Sequence, residues 1–337
     1  RTPQSYAASC AKCFDDGHKV DPIFLLKQLA SAGAASYFGK RAAGSTRYAL
    51  STSTISNTPI PLAPLEEQRK ISFVLRLLDT QIEATDALIA KQERLRAGLM
   101  QDLLTRGVDE NGELRPPRDE APHLYQETVL GWLPTGWDVC ELQSYASVNR
   151  GKFAARPRND PKFYGGEYPF IQTGDVSGNS GRNINSHRQS LNGMGLLTSR
   201  LFPEGTIMIS IAANIGDAAT ISYAMCAPDS VVGVVANNQE DSAYLQLAIL
   251  QKKRWLESRA PQTAQRNINL EDLRPLLLPI PQPDERERIV LSHATLLERI
   301  IQMEEELDKL RLKKAGLMQD LLTGTVSVEP LLEKESA

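Results

Sequence analysis

The stretch Ala97-Gly98-Leu99-Met100-Gln101-Asp102-Leu103-Leu104-Thr105 occurs twice in this chain. Residues 315–323 repeat it without a change, 218 positions later. The correspondence runs upstream without a gap to Ile71 and Ile289, and a Pro-Ile-Pro motif precedes each copy, at residues 59–61 and 279–281. An exact repeat of this length indicates that one structural unit occurs twice in the fold.

Each copy has the hydrophobic pattern of a long coiled-coil helix. Proline and carboxylates open the copies at residues 64–67 and 283–285, and Gly107 and Gly324 end them. Seven of ten a and d positions are apolar in the first copy and eight of ten in the second. These positions are Ile71, Leu75, Leu78, Ile82, Thr85, Ile89, Gln92, Arg96, Leu99 and Leu103, then Ile289, His293, Leu296, Ile300, Met303, Leu307, Leu310, Lys314, Leu317 and Leu321. The pattern predicts two helices of roughly 50 Å that most simply pack on each other.

Two features of the repeat are candidates for partner binding. Arg96 and Lys314 occupy the same a position, either as solvated charges at the end of the seam or as contacts to a partner or a DNA phosphate. Gly98 and Gly316 each cost a helix about 1 kcal/mol relative to alanine. Their presence in both copies indicates close backbone approach, by the other helix or by a partner subunit.

Between the repeats lies a segment with the pattern of an α/β domain of about 140 residues. It opens at residues 130–137 (Leu-Gly-Trp-Leu-Pro-Thr-Gly-Trp), a stiff entry turn. Predicted strands cover residues 168–172, 205–212, 218–224 and 231–235, and a predicted helix covers 242–258. Residues 21–37 resemble that helix, and residues 44–51 resemble 262–269, so the chain also carries the tail of a first copy of this domain.

Composition and charge are those of an ordinary globular protein. The 337 residues are 41% hydrophobic and 23% charged with a net charge of −3, and no stretch approaches the roughly 20 apolar residues of a membrane span. Residues 1–10 lack the apolar core of a signal peptide, so we expect a cytoplasmic protein. Residues 150–270 hold 13 Lys+Arg against 9 Asp+Glu, a local charge of +4. A basic domain beside acidic helices suits a protein that binds nucleic acid with one part and proteins with the rest.

Motifs for catalysis or a metal are weak. Cys10 and Cys13, with His18 nearby, would be half a zinc site or, as we favour, free thiols. The sequence has no glycine-rich phosphate loop, no H-E-x-x-H, no Asn/Asp-Pro-Pro-aromatic methyltransferase motif and no nuclease constellation. We therefore expect a non-catalytic chain.

Candidate DNA-binding residues lie in four short segments. Residues 150–164 hold five basic and three aromatic residues, and the other segments are polar stretches at strand ends or glycine-rich loops. The candidates are Arg150, Lys152, Arg156, Arg158, Lys162, Gln172, Thr173, Asp175, Arg182, Arg188, Gln265, Arg266 and Asn267. Loops that are merely solvated, or that only cap a strand, remain the alternative.

The entry motif at residues 130–137 and the exit motif at residues 59–71, with its looser copy at 279–289, resemble the specificity subunits of type I restriction-modification systems. The resemblance extends from about residue 20 to 326. It implies a mixed α/β (α+β) target-recognition domain and long antiparallel coiled-coil helices. It further implies that the chain reads one half of a bipartite double-stranded DNA site and docks modification (methyltransferase) subunits, without chemistry of its own.

The resemblance also gives expected domains and partners. Residues 1–58 would be the C-terminal remnant of a first recognition domain, 59–107 the first conserved helix, 108–129 a linker, 130–278 the second recognition domain, 279–326 the second conserved helix and 327–337 a disordered tail. Most of the first domain is missing, which suggests a truncated chain, and a homodimer is one way for such a chain to supply its second half-site. S-adenosylmethionine is expected on modification subunits, and ATP and magnesium on a restriction subunit. The alternative is a coiled-coil adaptor protein that binds no DNA.

Overall fold

The computed structural model describes residues 20–42, 49–260 and 267–328, and they divide into two compact units. One unit comprises residues 1–93 with 298–337, and the other comprises residues 94–297. Cys10, Cys13 and His18 lie outside the described residues, as do residues 44–48 of the expected repeat of the recognition domain.

The two repeats form the two longest helices, and the predicted seam is confirmed. Short helices α1 (Pro22–Leu29), α2 (Ala32–Arg41) and α3 (Thr52–Ser56) precede α4 (Leu65–Leu103), and α11 (Pro283–Leu322) closes the fold. All twenty predicted a and d residues are buried or half-buried. In the first unit Asp86 pairs with Arg311 at 3.2 Å and Asp79 with Lys314 at 2.6 Å. The residue number increases along α4 while that of its partner on α11 decreases, so the two helices run antiparallel here.

The first unit is centred on the start of α4 and the end of α11. Phe24 of α1 is buried there with Ile71, Leu75, Leu321 and Leu322. Gln28 Nε2 donates to the carbonyl oxygen of Pro61 at 3.1 Å, and the Asp21 amide donates to Gln68 Oε1 at 2.8 Å. Val328 is buried in the same cluster, so the expectation of a disordered tail fails at its first residues, because an apolar side chain there has a core to enter.

The second unit repeats these contacts with equivalent residues. In its core Tyr244 is buried with three residues of the long helices. These are Leu103, Leu104 and Ile289, the respective counterparts of Leu321, Leu322 and Ile71. Tyr244 Oη donates to the carbonyl oxygen of Pro279, which lies in the second Pro-Ile-Pro motif as Pro61 lies in the first, at 2.7 Å. Arg286, the counterpart of Gln68, pairs with Asp241 at 2.5 Å. The repeat therefore includes the contacts around each helix end as well as the helices.

The recognition segment of this unit is built from small sheets. The strands are β1 (Tyr125–Thr128), β2 (Gly131–Pro134), β3 (Asp138–Glu141), β4 (Ala146–Arg150), β5 (Tyr164–Phe170), β6 (Asn183–Ile184), β7 (Gln189–Leu191), β8 (Arg200–Phe202), β9 (Ile207–Ser210), β10 (Ala218–Ile221), β11 (Met225–Ala227), β12 (Val231–Ala236) and β13 (Leu277–Ile280). Two larger sheets have the orders β4-β12-β9-β10-β6 and β7-β5-β11-β8, and β1-β2 and β13-β3 form two-stranded ribbons.

The helices between these strands are short. They are α5 (Leu142–Tyr145), α6 (Thr173–Gly178), α7 (Gly193–Thr198), α8 (Ser242–Gln251), α9 (Lys253–Arg259) and α10 (Leu270–Leu273). 3-10 turns cover Pro122–Leu124, Pro161–Phe163 and Gln239–Asp241. The helix predicted over 242–258 is thus two helices with a break at Lys252. Residues 108–129 are likewise ordered rather than a free linker, because Val108 and Tyr125 bury apolar side chains and β1 pairs with β2.

A buried carboxylate joins the end of α4 to the entry motif and the start of α11. Glu285 accepts hydrogen bonds from Arg115 Nη2 at 2.9 Å, Trp137 Nε1 at 3.0 Å and the Val108 amide at 3.0 Å. Gly107 adopts a φ of 65° beside it. We call this arrangement the Glu285 clasp. It links the entry motif to the acidic first turn of α11, because Trp137 donates its indole hydrogen bond to the Glu285 carboxylate.

Candidate nucleic-acid interface

The ends of the five-stranded sheet meet along one side of the recognition segment. The register pairs Arg150 at the end of β4 with Val232, and Val231 with Ser210 at the end of β9. The Gly181 amide donates to the carbonyl oxygen of Ala218 at 2.9 Å, so Arg182 lies at the same side of the sheet.

The four-stranded sheet ends on the same side. Phe170 at the end of β5 lies opposite Gln189 and Cys226, and Ala227 lies opposite Arg200. The Lys152 amide donates to the Ala227 carbonyl oxygen at 2.9 Å, which joins this sheet to the end of β4. We call this side the strand-end edge, defined by Arg150, Phe170, Arg182, Gln189, Arg200, Ser210, Ala218 and Ala227.

A last predicted segment reaches this edge from far along the chain. Asn267 forms a bridge with Ala212, and the Ile268 amide donates to the carbonyl oxygen of Ile211 at 3.1 Å. Asn267 is exposed. Gln265 and Arg266 lie outside the described residues. The register of the sheets thus brings Asn267 to the side where Arg150 and Arg182 lie.

Cations surround a single carboxylate in part of the edge. Arg158 Nη2 lies 2.8 Å from both oxygens of Asp229, and Arg150 Nε donates to the Asp229 carbonyl oxygen at 2.5 Å. Arg200 Nη1 in turn donates to the Arg150 carbonyl oxygen at 2.7 Å. Lys152 is exposed beside them. The arrangement holds guanidinium groups in place at the surface and leaves an excess of positive charge, which suits contact with phosphates.

Several candidates have structural partners that sequence reasoning could not assign. Asp175 Oδ2 accepts from the Gln172 amide at 2.8 Å and so caps α6, a helix that the sequence did not predict. Gln172 Nε2 donates to Gln189 Oε1 at 3.1 Å, and Thr173 is the half-buried first residue of α6. Arg188 is the most open of the candidates, with 91% of its side chain exposed and its Nε 3.9 Å from Asp175. It is placed to contact an external ligand at little cost.

Two basic candidates are not brought to the edge with the others. Arg156 Nη1 donates to the carbonyl oxygens of Phe153 and Ala155, so its guanidinium supports its own loop. Lys162 pairs with Asp160 at 3.0 Å, and it precedes the start of β5, whereas the strand-end edge lies at the end of that strand.

The edge also holds residues that the sequence did not suggest. Ala213 has a φ of 60°, a left-handed conformation that an alanine rarely adopts. Next to it, Asn214 Nδ2 donates to Ser177 Oγ at 3.1 Å. Lys253 pairs with Asp217 at 2.6 Å. No motif marks these positions, because they become neighbours only through strand pairing.

The partner-binding candidates differ from expectation. Among the described residues nothing lies within 4 Å of a Cβ placed on Gly98 or on Gly316, so the expected close approach by the other long helix is wrong. Lys314 is not a solvated end-of-seam charge, because it pairs with Asp79. The hydrogen bonds and charges of Lys27 and Lys314 outweigh the burial of the Asp79 carboxyl and lower its pKa. The Arg96 guanidinium lies 3.2 Å from a Cβ placed on Gly181, next to the strand-end edge.

Other chemistry finds little support in the described residues. No group of three or more His, Cys, Asp or Glu among them could hold a metal ion. Cys140 and Cys226 are free, and burial raises the pKa of the Cys226 thiol. Within the described ranges no helix is long and apolar enough to cross a membrane.

Comparison with known proteins agrees with this architecture. The chain is 23% identical over 319 residues to the putative MjaX specificity subunit of a type I restriction enzyme from Methanocaldococcus jannaschii, an alignment that covers 93% of this chain and 70% of that protein. The crystal structure of a type I restriction-modification S subunit from M. genitalium superposes with a TM-score of 0.56 at 14% identity, over 90% of this chain and 73% of that one. A chain from a structural study of type I R-M complex assembly and conformational transition matches with a TM-score of 0.50 at 17% identity, over 90% of this chain and 71% of that one.

The family model described as the type I restriction modification DNA specificity domain matches residues 134–311. That match covers more than half of the chain and includes the whole strand-end edge. The protein therefore belongs to the family of type I restriction-modification specificity subunits.

Proposed function

We propose that this chain reads one half of a bipartite double-stranded DNA site through the strand-end edge. The observation that supports this most is the sheet register, which gathers Arg150, Lys152, Arg182, Arg188 and Asn267 from three separate stretches on one side of the domain. Arginine and lysine neutralise phosphates, and arginine and asparagine also form the paired hydrogen bonds that distinguish guanine and adenine.

We further propose that the long helices dock modification subunits. Gly98 and Gly316 are exposed, have no contact that requires glycine and yet recur in identical nine-residue stretches. A partner that approaches both helix backbones closely would account for this. In this scheme the chain is not itself an enzyme. S-adenosylmethionine belongs to the modification subunits, and ATP and magnesium belong to a restriction subunit.

The test is a selection from random duplexes with the modification subunit present. We expect one short sequence to be enriched, with an affinity that falls steeply as salt rises, because phosphate contacts release counterions. Recovery of random sequences from the assembled complex would contradict the proposal and favour a coiled-coil adaptor that binds no DNA. Sedimentation of the chain with and without the modification subunit checks whether a homodimer supplies the second half-site.

A further inference from the structure

A cleft of about 580 Å³ opens in the second unit between the end of α4, β2 and the junction of α8 with α9. Its floor is apolar and comprises Met100, Leu104, Leu130, Leu133 and Pro279. A second cleft of about 440 Å³ shares Leu130 and Lys252 with the first and extends to Trp255 and Val129. We call the two together the basic cleft. The strand-end edge, assigned to DNA, adjoins this cleft at Lys253 but does not account for its apolar floor or for Lys252.

The rim of the basic cleft carries cations. Lys252, Lys253 and Arg254 line the first part, whose described lining residues include no acidic one, and Arg259 lines the second part, where Glu271 and Asp272 also lie. Lys253 is paired with Asp217, and Arg259 lies 4.7 Å over the Trp255 ring. Arg254 is exposed.

Lys252 lacks a counterion in the described part of the chain. In the described part of the chain its ammonium has neither a hydrogen-bond acceptor nor a carboxylate, although it sits half-buried where α8 ends. Burial lowers the pKa of Lys252. A charge partly removed from water without a counterion costs free energy, which an incoming carboxylate would recover.

One wall of the cleft belongs to the exact repeat. Ala97 and Gln101 are exposed on α4, line the cleft and recur at Ala315 and Gln319. Val129 is 81% exposed at the far end of the cleft, and Trp255 is also exposed there. Exposed apolar and aromatic residues next to a cleft are typical of protein interfaces.

We propose that the basic cleft binds an acidic segment of the modification subunit, with apolar side chains on the Met100–Leu130 floor and carboxylates facing Lys252 and Arg254. This inference rests on the proposed function, which it deepens by naming the docking surface and the chemistry of the partner. The apolar floor favours a polypeptide over DNA, because a phosphodiester backbone has no apolar side chains to bury there.

A matched pair of charge reversals tests the inference. Lys252→Glu and Lys152→Glu change the same residue type in the same domain, one in the basic cleft and one at the strand-end edge. The affinity of each purified full-length variant for its cognate modification subunit is measured by calorimetry. The duplex affinity of the complex is then measured at saturating modification subunit. We expect Lys252→Glu to weaken subunit binding about tenfold or more and to leave duplex affinity unchanged, and Lys152→Glu to do the reverse.

Variants at a second position, Gln101, separate a loss of binding contacts from a loss of binding through misfolding. Gln101 is exposed, so Gln101→Glu and Gln101→Lys are both tolerated by the helix, and we expect the first to weaken and the second to strengthen subunit binding. Equal effects of the two Gln101 variants, unchanged subunit affinity in Lys252→Glu, or loss of duplex affinity in Lys252→Glu at saturating subunit would overturn the proposal. If the unaltered chain binds no modification subunit at all, both the proposed function and the basic-cleft proposal fail. If the unaltered chain binds the subunit and the Lys252 and Gln101 variants bind it equally well, only the basic-cleft proposal fails.

Discussion

Alanine at Gly107 is the sharpest test of the Glu285 clasp. Gly107 has a φ of 65°, which costs an L-residue about 1–2 kcal/mol. A Cβ on Gly107 would also overlap the Glu285 carboxylate and the Arg115 guanidinium and would lie 2.6 Å from the Trp137 ring. Displacing well-packed groups of this kind costs about 1–3 kcal/mol more. We therefore expect Gly107→Ala to lower the free energy of unfolding of the second unit by about 2–5 kcal/mol.

The chain provides a matched control and a selective signal. Gly112 has a φ of 80° but nothing within 4 Å of a Cβ, so Gly112→Ala has only the backbone cost, about 1–2 kcal/mol. The three tryptophans, Trp132, Trp137 and Trp255, all belong to the second unit. Urea unfolding followed by tryptophan fluorescence therefore reports on this unit. Equal losses in the two variants would show that the clasp does not constrain Gly107 and would refute the reasoning.

Three further predictions follow from other contacts. Because its folded pKa lies below the ordinary 3.8, Asp79 stabilises the first unit above about pH 4, and this contribution is lost as pH falls through the folded value. Asp79→Asn should cost about 1 kcal/mol at pH 7 and progressively less as pH falls below about 4, measured by circular dichroism. Asp175→Ala should destabilise the second unit by about 1 kcal/mol through loss of the α6 cap, whereas Arg188→Ala should leave stability unchanged and reduce the salt slope of duplex binding by about 1. Gly98→Leu and Gly316→Leu should each stabilise the free chain by about 1 kcal/mol yet weaken modification-subunit binding, as thermal melts and calorimetry would show; unchanged binding would contradict docking at the glycines.

The coiled coil could be predicted from sequence because its signal is local. Heptad spacing alone placed all twenty seam residues on the inner face, including the polar Gln92 and His293. The strand-end edge could not be predicted in the same way, since Arg150, Arg188 and Asn267 meet only through strand registers between distant segments. The break at Lys252 was also missed, because no glycine or proline marks it.

The role of a single polar residue was the least predictable feature. From the sequence, Asp175 is a base-reading candidate, with a solvated or strand-capping loop as the alternative, and only its bond to the Gln172 amide shows that it caps a helix. Glycine gave a misleading signal of a similar kind. Gly98 and Gly316 suggested contact between the helices, but their surroundings within this chain are open.

The two copies of the repeat are identical over nine residues, exposed ones as well as buried ones, but differ elsewhere even where the chain packs on itself. Buried Leu75 has buried His293 as its counterpart, and Gln68, which bonds to the backbone, has the ion-paired Arg286. Exposed Ala97, Gly98 and Gln101, in contrast, are identical to Ala315, Gly316 and Gln319. Self-packing accounts for identity at the buried positions of this stretch, such as Leu103 and Leu321, but not at the exposed ones, because buried side chains are constrained by volume and exposed ones are not. Identity on the surface is expected if two copies of one partner bind the same side chains at both helix ends, which is why the docking proposal rests on exposed residues and not on the seam.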